Sequence, residues 1–170
     1  MKKRRTGSAT GIIPHAGELT VANVPPDPDF DSRVRASFKR QVFMKTLGAR
    51  LVSVAPGEVV IELPFRDDLT QQHGSLHAGV VTSIVDSACG YAALTLMPAG
   101  AGVLSVEFKI NLFAPAKGQS FLATGRVLKA GKTITVCAGE VLALRDGSQF
   151  IVAQIQATMM SLRGRPSLRD

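Results

Sequence analysis

Between His77 and Met97 the chain runs for 21 residues without a lysine or an arginine and with a single carboxylate, Asp86. The pattern is helical. Val81, Ile84, Val85, Ala88, Ala92 and Leu96 make one apolar stripe, and Gly79, Thr82, Ser83, Asp86 and Gly90 make a second face that is small and polar. A solvated face would carry Lys and Glu, so a face of Gly, Thr, Ser and one Asp suits the close approach of another backbone or a ligand. The helix stops before Pro98-Ala99-Gly100. Asp86 is then the anomaly, because an ionised carboxylate is almost never fully buried without a partner.

The flanking segments supply the wrapping. Val34, Phe38, Val42, Phe43 and Leu47, with Asp31 near the start and Gly48 just past the end, predict one capped helix. Residues 49–65 read as two short strands about the turn Ala55-Pro56-Gly57-Glu58, and residues 66–76 as a polar loop, RDDLTQQHGSL. Four strands are predicted after the long helix, near 103–114, 119–129, 132–145 and 149–162, with turns at Gly118, Ala130-Gly131 and Arg145-Asp146-Gly147. In the first of them Ser105, Glu107, Lys109 and Asn111 alternate with Leu104, Val106, Phe108, Ile110 and Leu112, a period of two that puts Ser105 and Glu107 on one side. One long helix with one antiparallel sheet implies an α+β domain. The expected layout is a flexible Gly/Pro/Thr-rich arm over 1–30, a single domain over 31–162 and a basic tail over 163–170.

Composition removes several classes. Of the formal charge of +7, six units belong to the ends: Lys2, Lys3, Arg4, Arg5, Arg163, Arg165 and Arg169, less Asp170. The body is nearly neutral and has no Trp, which argues against a nucleic-acid partner. No secretory signal follows the basic start, and no run of membrane-spanning length is read, so a cytoplasmic protein without a membrane partner is expected. Cys89 and Cys137 lie in apolar contexts and read as buried free thiols. His73 and His77 form an HxxxH pair without the Glu of a zincin, Ser87 has no GxSxG elbow, and Gly-rich phosphate loops are absent. No metal is expected.

The run from Gln71 through Asp86, followed by SVEFKINLFAPAKG and VLKAGKTITV, resembles the hotdog-fold acyl-CoA thioesterases, and among them the phenylacetyl-CoA type. The resemblance spans about residues 35–162. It implies an antiparallel sheet wrapped around one central helix, hydrolysis of an acyl- or aryl-CoA to free acid and CoA without a cofactor, and a homodimer or a homotetramer built as a dimer of dimers. Carried over by position, Asp86 attacks the thioester or directs water at it, and the Ala78 N–H holds the carbonyl oxygen. Gln71 and Ser105 orient water or the thioester. The chain departs from the family pattern in having His77-Ala78-Gly79 for His-Gly-Gly, and Gln71 where Asn is common.

The residues support the same chemistry physically. The first N–H groups of a helix lack intrahelical acceptors and sit at its positive end, so Ala78 and Gly79 offer donors to an oxyanion, with His77 placed to position the loop. Asp86 is the helix's only carboxylate; the other reading of it is a structural hydrogen bond to Thr82, Ser83 or a strand. Ala78 and Asp86 are eight residues apart, about 12 Å along a helix, too far for one chain to set both against one carbonyl. Two antiparallel helices across a dimer axis would bring them together. Lys129 and Lys132 flank the turn at Gly131, as solvated turn charges or as contacts for CoA phosphates. Two rival functions fit the same chain: an enoyl-CoA hydratase or dehydratase using His73 or His77, and a non-catalytic acyl-CoA-binding module.

Overall fold

The computed structural model describes residues 23–164. The elements run α1 (Phe30–Arg40), α2 (Val42–Leu47), β1 (Arg50–Ala55), β2 (Glu58–Pro64), a 3-10 turn (Asp67–Leu69), α3 (Ala78–Thr95), β3 (Gly102–Leu112), β4 (Ser120–Ala130), β5 (Ile134–Arg145) and β6 (Ser148–Leu162). All strand pairs are antiparallel, in the order β1-β2-β4-β5-β6-β3, so β1 and β3 are the two edges. The sheet wraps α3, which buries Val81, Ile84, Val85, Ala88, Cys89 and Ala92 against it. This is the hotdog arrangement. By length and composition α3 could cross a membrane, contrary to the sequence reading that no run is long enough, but here it is the enclosed core helix.

Helix and sheet touch almost backbone to backbone. A Cβ on Gly125 of β4 would lie 2.4 Å from the Ala88 carbonyl carbon and the Cys89 nitrogen. No side-chain motion relieves a clash with main chain, so Gly125→Ala is expected to push α3 off the sheet and destabilise by about 1–3 kcal/mol or more. Denaturant unfolding of the purified variant checks this; an unchanged midpoint would mean that the contact is looser than described. Beneath the same contact, Cys137 Sγ donates to the Cys89 carbonyl at 3.5 Å, and both cysteines are free. Burial pushes the Cys137 thiol up to about 12 and that of Cys89 upward as well, which makes both unreactive.

The first helix differs from expectation in two ways. It breaks at Gln41, whose extended backbone (φ −75°, ψ 93°) separates α1 from α2, and only α2 ends on the left-handed Gly48. Asp31 makes no cap and pairs instead with Arg35 at 2.9 Å. The break has a tertiary cause: the Gln41 side chain is drawn towards α3, accepting from the Tyr91 hydroxyl (3.2 Å) and reaching Ser87 Oγ (3.4 Å).

Packing also begins before residue 31. Asp27 is buried, with its Oδ2 3.2 Å from Arg33 Nε, and its side chains and that of Arg33 are 7% and 9% exposed. Arg33 donates onward to the carbonyls of Pro98 (2.6 Å), Leu94 (2.9 Å) and Met97 (2.8 Å), at the negative end of α3. Its guanidinium thereby ties α1 across the C-terminal end of α3. Residues 1–22 of the expected arm and 165–170 of the expected basic tail lie outside the described residues.

The alternation expected in β3 is interrupted by a bulge between Ser105 and Glu107. Ser105 pairs with buried Met159, Glu107 with Thr158, and Phe108 with buried Ala157. Paired residues share a face, so Ser105 turns to the helix side while Glu107 points away and accepts from the Thr158 hydroxyl (2.6 Å). Ser105 and Glu107 are therefore on opposite faces, not on one.

Candidate active site

What starts α3 is His77. Its Nδ1 accepts from the Gly79 N–H at 2.9 Å, and its own N–H donates to the Leu69 carbonyl at 2.9 Å. The proton of the neutral imidazole is then on Nε2. Of the two N–H groups read as oxyanion donors, Gly79's is taken by this cap. Ala78's has no acceptor among the described residues. It projects from the exposed, positive end of the helix.

Gln71 stands in the loop before it. Its N–H donates to the Ser75 carbonyl (2.9 Å), its carbonyl accepts from Gly74, and its Oε1 accepts from the His73 N–H. These bonds leave the carboxamide NH2 without a partner among the described residues. Gln71 and Ala78 line one cavity of about 360 Å³, closed on its other side by Leu112, Phe113, Pro115 and Ala116.

Asp86 and Ser105 line a different one, of about 330 Å³, together with Ser37, Arg40, Gln41, Ser87, Gly90, Tyr91 and Val103. The β3 bulge aims the Ser105 hydroxyl at Asp86 Oδ1, 2.8 Å away. Met159 Sδ lies 3.4 Å from the same hydroxyl, but its one proton goes to the stronger acceptor, the carboxylate. Thr82 and Ser83 donate back to the Ala78 and Gly79 carbonyls and do not hold Asp86. Its Oδ2 has no partner among the described residues. Burial raises the Asp86 carboxyl above its ordinary value, and the Ser105 hydrogen bond opposes this only in part. A half-buried carboxylate with one oxygen anchored and one facing a cavity is suited to accept a proton or to attack.

The four residues read as catalytic are thus divided in two pairs, Gln71 with Ala78 at the start of α3, and Asp86 with Ser105 about halfway along it. Lys129 and Lys132 join neither. They are exposed at the β4–β5 turn, and the row Ser105–Met159–Thr135–Ala130 sets that turn three strands from Ser105, about 14 Å at the usual strand spacing. No group of three or more His, Cys, Asp or Glu side chains able to hold a metal occurs among the described residues.

Sequence reasoning missed Ser37, Arg40, Gln41 and Tyr91 as cavity residues. A signal was present for Gln41: it is a polar side chain at the position three residues after Phe38 on the apolar stripe of its helix.

The model of the thioesterase superfamily matches residues 73–148, which include the start of α3, Asp86 and Ser105. Human acyl-coenzyme A thioesterase 13 is 37% identical over 103 residues, 59% of this chain and 73% of that protein. The chain belongs to the thioesterase superfamily. The crystal structure of a thioesterase family protein from Silicibacter pomeroyi is 48% identical and superposes with a TM-score of 0.79 over 79% of this chain and 99% of that one. At 21% identity, the E. coli PaaI protein from the phenylacetic acid degradation operon shares the fold, with a TM-score of 0.73 over 82% of this chain and 97% of its own. The α+β hotdog thioesterase architecture expected from the Gln71–Asp86 run is therefore the one this chain has.

Proposed function

We propose that the protein hydrolyses acyl-CoA thioesters at a site completed by two chains. Asp86 and Ser105 of one protomer face Gln71 and the start of α3 of its partner. The observation that carries this is the division of the four residues between two cavities. Ala78 and Asp86 are separated by about two helical turns, about 12 Å, whereas both must come within about 3 Å of one reacting group. The acyl-CoA substrate is supported by similarity to acyl-coenzyme A thioesterase 13.

In the reaction, Asp86 takes a proton from water as it adds to the thioester carbon, or adds to that carbon itself. Negative charge collects on the carbonyl oxygen and is met by the Ala78 N–H, a donor already oriented and already unpaired. Where water adds, collapse of the adduct expels CoA thiolate, which takes up the proton held by Asp86, and leaves the acid; where Asp86 adds, collapse leaves an anhydride on Asp86 that water then hydrolyses to the acid and the free carboxyl. Ser105 holds one carboxylate oxygen so that the other faces the reacting atoms, and the Gln71 NH2 positions water or the thioester.

A homodimer is supported by the β3 edge. Leu104, Val106, Phe108, Leu112 and the adjoining Phe113 are each between 43% and 52% exposed along an edge strand of 11 residues. A long apolar edge left open invites another strand, and a second β3 would lay the open face of α3 against its counterpart. Assembly into a dimer of dimers extends this reading. Free, buried Cys89 and Cys137 fit a reducing, cytoplasmic location.

The test is complementation. Asp86→Asn and Gln71→Ala homodimers are each expected to be impaired at both sites. A mixed dimer would place both defects in one site and leave the other intact. Co-expressed and purified through two different tags, it should recover about half of the wild-type activity. Recovery no greater than the mean of the two parents would show that each site is built within one chain.

A further inference from the structure

The glycine at position 90 has no reason to be there that lies among the described residues. It sits inside α3, where Gly is disfavoured by about 0.5–1 kcal/mol relative to Ala. A Cβ built on it would meet nothing within 4 Å, whereas one on Gly125 or Gly139 would strike backbone or a packed side chain at once. Packing of the described residues thus demands glycine at 125 and 139 and leaves 90 unexplained.

Its position supplies a reason. Residue 90 is one turn beyond Asp86 on the same face of α3, and both line the cavity of about 330 Å³. A cavity of about 150 Å³ is enough to take a benzene ring, so there is room for a ring with a substituent. The walls are well determined. Val103 comes from β3, and Ser37 and Gln41 come from the junction of α1 and α2 that Arg33 ties down over the end of α3. Gln41 is itself fixed by Tyr91 and Ser87. A pocket that begins at the carboxylate and continues over a bare stretch of helix has the shape needed to receive what is bonded to the carbon that the carboxylate attacks.

We propose that this cavity holds the acyl group of the substrate, and that Gly90 determines how large that group can be. The proposal rests on the thioesterase reading. The substrate class it names is a compact acyl group of about ring size, lying against Gly90 between α3 and the α1–α2 junction. A side chain at 90 would occupy the space that such a group needs.

The experiment compares wild type with Gly90→Ala and Gly90→Val on acetyl-CoA, phenylacetyl-CoA and decanoyl-CoA, by release of free CoA, with melting and size exclusion on the same preparations. Gly90→Ala is expected to melt about 2 °C higher, since Ala replaces Gly in a helix with no clash. The ratio of kcat/KM for phenylacetyl-CoA to that for acetyl-CoA should fall with the size of the new side chain, by about 10-fold or more for Gly90→Val. A constant ratio in both variants would overturn the inference while leaving the thioesterase reading intact. Dissociation of the assembly by either variant would overturn it too, because the cavity would then be filled by the partner chain. Wild type inert towards all three thioesters would bring down the reading and the inference together.

Discussion

Asp86→Asn is expected to fold at least as well as the parent and to lose at least about 10²-fold in kcat, the usual contribution of a positioned base or nucleophile. Stability and activity should move in opposite senses because of what burial does to this carboxyl. Desolvation raises it above the ordinary aspartate value of 3.8, and the hydrogen bond from Ser105 offsets only part of that. The folded state therefore holds the Asp86 proton more tightly than the unfolded chain does. As pH rises from 3.8 through the raised value, the stability contributed by this group falls, and above that window the buried charge is a cost that Asn does not incur. The same shift fixes the acid limb of the pH–rate profile. Activity needs the ionised form, so kcat/KM should decline at a pH above 3.8 as the solution is acidified. Circular dichroism and melting establish folding, and steady-state CoA release gives the rates. A folded Asp86→Asn protein with near wild-type turnover would remove Asp86 from the chemistry.

Asp27→Ala should cost about 3–5 kcal/mol, the range for removing one partner of a buried ion pair. The loss comes less from the attraction forfeited than from the Arg33 charge left behind, its side chain 9% exposed. Asp27→Asn separates the two parts, because it keeps an oxygen for the Asp29 N–H, now bonded at 3.0 Å, while removing the charge. Denaturant midpoints measure both variants. A loss below about 1 kcal/mol for Asp27→Ala would mean that Asp27 is not what compensates the Arg33 charge. A truncation through residue 28, which the composition of the arm suggests is harmless, would remove Asp27 and carry the same cost.

The sequence declares whatever its local pattern controls. The limits of α3, the hairpin at Pro56-Gly57 and the four later strands fall within a few residues of where hydrophobic period and turn residues put them. Asp86 was conspicuous as the one charge in an otherwise uncharged helix. The unread features all depend on contacts between distant segments. Gln41 breaks its helix because Tyr91, 50 residues on, holds its side chain. Asp27 looks like part of a Pro-rich linker until Arg33 is seen reaching three carbonyls more than 60 residues away. Gly125 reads as an ordinary glycine in a strand, and only the nearness of the Ala88 backbone reveals what it does. Gly79 and His77 show the same limit at short range: the run told that a helix begins there, but which N–H the imidazole would occupy was a matter of rotamer.

The bulge in β3 sets a rule about length. Ser105 and the apolar residues Phe108, Ile110 and Leu112 all belong to the helix side of the strand, yet an odd and an even position cannot share a side in a regular one. The extra residue at the bulge changes the phase of the strand between them, so its first half turns Ser105 to the carboxylate and its second half turns Phe108, Ile110 and Leu112 to the same side. The strand cannot vary in length at this point: one residue fewer would have to turn either the Ser105 hydroxyl or the whole apolar row away from α3.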